Sequence, residues 1–141
     1  MKIFTLFLLL GLGPFLVSCY ATRCNDCYAR TALELIKYYK PRSNLTINDV
    51  MRSSSQTCAG GTPERILKQH FSRVVLTTAG PEKLERIIRK YGRAIVGVTN
   101  KHLEVAVTLS DKGLHLSNSE IIQFPSNGRF SYVVYIRDGH M

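Results

Sequence analysis

The hydrophobic pattern of the chain changes period at Ala94. Before it, apolar residues recur at helical spacing: Ala29, Ala32, Leu33, Leu35, Ile36 and Tyr39 in one segment, Leu84, Ile87 and Ile88 in another. After it, Ala94–Thr99, His102–Leu109, Leu114–Ser117 and Phe130–Arg137 carry the alternation and β-branched content of strands. Helices first and an antiparallel sheet second make an α+β domain, and the order argues against a parallel sheet or an all-helical bundle. The 141 residues, 45% of them hydrophobic, suit one such domain rather than a disordered tail or a coiled coil.

Local signals set the boundaries. The first helix spans Cys27–Tyr39 behind a capping candidate, Asn25 or Asp26, and stops at Lys40-Pro41. Thr46-x-x-Asp49 has the form of a capping box and predicts a short helix to about Arg52. Ser53–Gly61 reads as a loop, and Thr62-Pro63-Glu64 as a helix entry running to about His70. Val74–Thr77 is a predicted strand; Pro81 opens a further helix that Gly92 closes. Asp111-Lys112-Gly113 is the turn between the second and third strands of the sheet half.

The first 21 residues are a separate object. Lys2, an apolar run from Ile3 to Val17, and the small residues Ser18 and Ala21 follow the order of a secretory signal. The run is shorter than the ~20 residues of a spanning helix, and Gly11, Gly13 and Pro14 interrupt it. Two cleavage sites compete. Leu16-Val17-Ser18-Cys19 resembles a bacterial lipobox, which would leave a lipid on Cys19; cleavage after Ala21 would free residues 22–141. The exported chain is secreted or periplasmic, and its cysteines meet an oxidising compartment. Asn44-Leu45-Thr46 is a glycosylation sequon there if the source is eukaryotic.

Net charge is +9, but the basic residues are scattered and interleaved with acids rather than gathered in a stripe, so nucleic acid is not an expected partner. A monomer is expected, with membrane contact only through a lipid on Cys19.

Three features carry chemistry: Cys24-Asn25-Asp26-Cys27 at the mouth of the first helix, Cys58-Ala59-Gly60-Gly61-Thr62-Pro63, and His102 opening a strand with Asn118 at the end of the next. A cysteine at a helix start feels the positive end of the dipole, which favours the thiolate nucleophile. Other readings of these residues stand beside that one. Cys27 could be an inert core cysteine, and Cys24-x-x-Cys27 could be a thiol–disulfide exchange pair, although almost nothing precedes it to form the usual βαβ setting. Cys24, Cys27, Cys58 and a histidine lack the second closely spaced ligand pair of a zinc site, so no metal or cofactor is expected. Asn118 could be an ordinary turn residue. His70, His115 and His140 have no matching partner spacing.

Together the three features resemble the papain-like cysteine peptidases. The small size, Asp26-Cys27 with Tyr38-Tyr39, and Gly92-x-Ala94-Ile95-Val96, His102 and Asp111-x-Gly113-Leu114-x-Leu116 are similar to the bacteriocin-processing (double-glycine leader) peptidases within that superfamily. The likeness spans about 24–136, specific around the cysteines and weak in the sheet. It implies a papain-like fold with its cleft between helices and sheet, and a peptide or protein substrate. Cys27 would be the nucleophile, His102 its base and then its acid, and Asn118 the group that orients the imidazole. Gly60 and Gly61 would offer backbone to an extended substrate. The resemblance also implies a Cys24–Cys58 disulfide, leaving Cys27 free and holding the loop beside it, worth roughly 3–4 kcal/mol in the chain-entropy model.

One position departs from the pattern. The family carries a Gln about six residues before the nucleophile, and Ala21 stands there. Loss of one oxyanion donor typically costs about 10²–10³ in rate. Another group substitutes, or turnover is slow, or the scaffold serves binding without catalysis.

The sheet poses one internal conflict. His102 and Glu104 share a face of their strand, so Glu104 is an alternative orienter. For His102 to meet Asn118, the hairpin needs an odd number of loop residues; matching Leu103, Val105, Val107 and Leu109 to Leu114 and Leu116 favours an even number. Gly113 can take the left-handed conformation of a bulge or three-residue loop, and the odd register is the expectation on that ground.

Overall fold

The computed structural model describes residues 26–53, 61–99 and 102–140. Its elements are α1 (Cys27–Tyr39), α2 (Ile47–Ser53), α3 (Pro63–Leu67), β1 (Val74–Ala79), α4 (Pro81–Tyr91), β2 (Ala94–Thr99), β3 (His102–Ser110), β4 (Gly113–Leu116), β5 (Ile121–Ile122) and β6 (Phe130–Ile136). The signal segment, Cys19, Cys24, Cys58 and Gly60 lie outside the described residues.

All six strands join one antiparallel sheet in the order β1-β6-β2-β3-β4-β5. The domain is therefore α+β. β2 to β5 form a meander, and β6 returns to lie between β1 and β2. The two sheet faces bury different helices. Tyr28, Ala29, Ala32, Leu35 and Ile36 of α1, with Val50, Ile66 and Leu67, cover Ile95, Val105, Val134 and Ile136. Leu84, Ile87 and Ile88 of α4 cover Ala94, Val96, Ala106, Leu114, Leu116 and Val133 on the other side. Ile95 against Val96, and Val105 against Ala106, show the period of two that sends neighbours to opposite faces. Among the described residues no helix is long and apolar enough to cross a membrane.

The helix starts follow from local chemistry. The Thr46–Asp49 box forms reciprocally: the Thr46 N–H donates to Asp49 Oδ2 (2.9 Å) and the Asp49 N–H to Thr46 Oγ1 (3.2 Å). Pro63 and Pro81 each open a helix, where a missing N–H costs nothing. Asp26 is the N-cap of α1, yet its carboxylate makes no cap bond. It pairs with Arg30 instead, at 2.9 Å.

Three bulges interrupt the ladders. One residue of β2 is extra between Gly97 and Thr99, and one of β6 is extra between Phe130 and Val133. The third is in β3, between Ala106 and Thr108. This last one decides the hairpin. Ser110 pairs with Gly113, closing a two-residue loop of Asp111 and Lys112, so the expected odd loop is corrected to an even one. The hydrophobic matching that favoured it prevails at the turn. Gly113 is left-handed in φ, at 136°, but as the first residue of β4. The bulge then shifts pairing by one, so Ala106 faces Leu116.

Candidate functional site

Cys27 begins α1, and the sequence continues with Tyr28, Ala29 and Ala32 facing the sheet. The cysteine is 3% exposed and lines a cavity of about 450 Å³. Gly61, Thr62 and Pro63, at the entry to α3, form another part of that wall. Gly97, Val98 and Thr99 from the β2 bulge, Leu103 from β3, Ser131 and Tyr132 from the β6 bulge, and Pro125, Asn127 and Arg129 from the loop before it complete the lining. Bulges of this kind re-aim side chains beside a site. Gly97 is small for a reason: a Cβ there would sit 3.1 Å from Tyr132 Cβ. Burial pushes the Tyr132 phenol up to about 12, so it stays protonated.

The oxidation state of Cys27 differs from the expectation. Its sulfur is in a disulfide rather than a free thiol. A nucleophile needs a thiolate. The role implied by the resemblance therefore requires that this bond first be reduced.

His102 opens β3 as expected and is 6% exposed. It does not line the cavity, whereas its neighbours Thr99 and Leu103 do. His102 Nε2 and Glu104 Oε2 share a hydrogen bond, and Glu104 is equally buried. Burial raises the Glu104 carboxyl; the hydrogen bond and charge of His102 pull it back, and the charge of Glu120 pushes it up again. The imidazole is thus held by its own strand.

Asn118 is not the partner of His102. β4 ends at Leu116, and Asn118 lies in the turn to β5. Its Nδ2 donates to Glu120 Oε1 at 3.1 Å, and its Oδ1 accepts the Glu120 N–H at 2.9 Å. Both ends of the amide are engaged in the turn itself. The hydrogen-bond partner of the His102 imidazole is Glu104 instead.

His115 and His140 have side-chain partners, while His70 Nε2 is buried and unpaired among the described residues and only the backbone carbonyl of His70 is engaged. His115 Nε2 bonds Ser110 Oγ at 2.7 Å in the hairpin, the His70 carbonyl accepts from Lys40 Nζ at 3.0 Å, and His140 packs edge-on against Tyr39. Among the described residues no three His, Cys, Asp or Glu side chains gather to hold a metal.

Sequence reasoning missed Arg129, Asn127, Ser131 and Tyr132. The Asn127-Gly128 turn ahead of the last strand was a visible signal; the bulge that turns Ser131 and Tyr132 to the cavity was not. No protein-family model and no curated protein matches the chain.

Proposed function

We propose that this domain is an exported thiol amide hydrolase of papain-like design, held oxidised at Cys27 and able to cut peptide bonds once that disulfide is reduced. The observation that supports it most is the shared cavity: the first residue of a helix supplies the sulfur, and Gly61, which has no side chain, stands with Thr62 and Pro63 where an extended peptide would lie. The buried His102–Glu104 pair supplies an oriented imidazole at the adjoining end of β3.

The chemistry begins with a dithiol reductant, which takes the disulfide to two thiols by two electrons. Cys27 then gives its proton to His102, and the thiolate adds to the amide carbonyl carbon. The C–N bond breaks as the imidazolium returns the proton to the amine. Water, activated by the now neutral His102, hydrolyses the thioester and releases the carboxylate. Ala21 in place of a glutamine predicts slow turnover.

The Cys27 disulfide favours a second reading, a peptide-binding protein without catalysis. The test is iodoacetamide labelling and peptide cleavage by the mature protein, before and after mild reduction, with the disulfide mapped by mass spectrometry. The hydrolase predicts one fast-reacting thiol at Cys27 and cleavage after reduction only, both lost in Cys27→Ser. A slow thiol and no cleavage leave the binding reading. A bond mapped from Cys27 to Cys24 moves the assignment to thiol–disulfide exchange.

A further inference from the structure

Among the described residues that line the Cys27 cavity, Arg129 is the one charged side chain and there is no carboxylate. None of the ion pairs of the described residues includes Arg129. Its position is built rather than incidental. The Gly128 N–H donates to the Pro125 carbonyl at 2.8 Å, and the Arg129 N–H to Asn127 Oδ1 at 3.2 Å. The next residue, Phe130, is 1% exposed in the core facing α4, where it packs against Phe124 with ring centroids 4.9 Å apart. The loop is therefore pinned on both sides of Arg129. The rest of the wall offers Leu103, Val98 and Tyr132 for an apolar group, and Thr62, Thr99 and Ser131 as neutral polar groups.

We infer that the cavity selects a peptide carrying a carboxylate next to an apolar side chain, with Arg129 as the group that binds the carboxylate. An arginine fork pairs with a carboxylate through two parallel charge-assisted hydrogen bonds, and Arg129, exposed at the cavity and in none of those ion pairs, has its fork open to an anionic ligand. The net charge of +9 favours approach of the same ligands over the whole surface. The carboxylate comes from an Asp or Glu side chain or from a peptide C-terminus, and one experiment separates the two. The inference names the ligand of the site proposed above, but it concerns binding and holds with Cys27 oxidised.

The experiment is fluorescence polarisation with the native, oxidised mature protein and labelled pentapeptides built around Leu-Glu, Leu-Gln and Leu-Lys, each with a free or an amidated C-terminus. The expected result is about tenfold tighter binding of one carboxylate form over its neutral counterpart, weakening with salt. If the Glu peptides lead regardless of amidation, the side chain is the source; if amidation abolishes the preference, the terminus is. Arg129→Glu loses the preference and Arg129→Lys keeps part of it. Arg86→Glu, on the exposed side of α4, makes the same change in net charge and leaves the preference in place. Equal binding of acidic and neutral peptides, no binding of any of them, or a preference that survives Arg129→Glu overturns the inference. Loss of the preference in Arg86→Glu does so too, because net charge would then be its cause. Absence of cleavage after reduction overturns only the hydrolase.

Discussion

A side-chain hydrogen bond involving a histidine lies at each end of β3, but the surroundings differ. At the hairpin end, His115 of β4 meets Ser110 at the surface, and water can replace either partner. At the cavity end, His102 meets Glu104 with both residues under 8% exposed. The hairpin end is specified by backbone: a two-residue loop, with Gly113 at a φ of 136°. The cavity end is specified by side chains that cannot exchange partners with solvent. Burial, rather than the presence of a hydrogen bond, separates a contact that solvent can replace from one able to fix the orientation of an imidazole.

Breaking the backbone device gives the largest expected effect. A Cβ on Gly113 would lie 2.5 Å from the Ile122 carbonyl oxygen at a φ that side chains rarely adopt. Gly113→Ala is expected to cost about 3 kcal/mol by strain and overpacking together, read as a lower urea midpoint. Equal stability to wild type would mean that the β4–β5 ladder moves freely, and the contrast between the two ends would collapse.

The buried pair comes next. Glu104→Ala strands the His102 Nε2 away from water and is expected to cost roughly 1–3 kcal/mol. Ser110→Ala, at the exposed pair, stays within about 0.5 kcal/mol. After reduction, Glu104→Ala also slows peptide cleavage and flattens its pH profile, whereas Glu104→Asp restores part of both. The comparison fails if Ser110→Ala and Glu104→Ala destabilise alike.

The helix entries at Thr46, Pro63 and Pro81 and the placement of the main strands were legible in the sequence, because capping and alternation are local properties. The hairpin was half legible. Apolar matching pointed to the even loop, and Gly113 was set against it as a sign of an odd one. The bulge at Val107 reconciles the two: beyond it the pairing shifts by one, and the Ser117 N–H donates to the Val105 carbonyl at 2.8 Å. That shift would bring Asn118 opposite Glu104, diagonal to His102, had β4 continued. It ends at Leu116, and the Asn118 amide caps the following turn. Bulges answer to packing across the sheet, so nothing in the local pattern marks them. The resemblance implied a free thiol at Cys27, and nothing in the local pattern of the helix start marked the disulfide found there.

Asn118 then offers a smaller test. Asn118→Ala removes two turn hydrogen bonds and is expected to cost about 0.5–1 kcal/mol in chemical denaturation. Peptide cleavage by the reduced protein should keep its wild-type pH profile. A profile altered as in Glu104→Ala would return the orienting role to Asn118.

The smallest expected effect belongs to Glu34, on the solvent side of α1, in a second cavity with Lys37, Tyr38, Arg93 and Ser117. Burial raises its carboxyl above the usual value of 4.5; the hydrogen bond with Ser117 and the charge of Arg93 oppose this, while the charge of Glu104 adds to it. A carboxyl raised in the fold contributes stability that is complete below its unfolded pKa and is lost as pH climbs through the folded one. Glu34→Gln stays neutral throughout, so its stability relative to wild type should rise between pH 4 and pH 7. The side chain keeps one edge in solvent, and screening holds the gain below about 1 kcal/mol. Glu104 titrates in the same direction and is present in both proteins, so the difference between their urea midpoints across pH isolates Glu34. If that difference is flat, or falls with pH, Glu34 is solvated like any surface carboxylate and does not feel the charge of the buried pair.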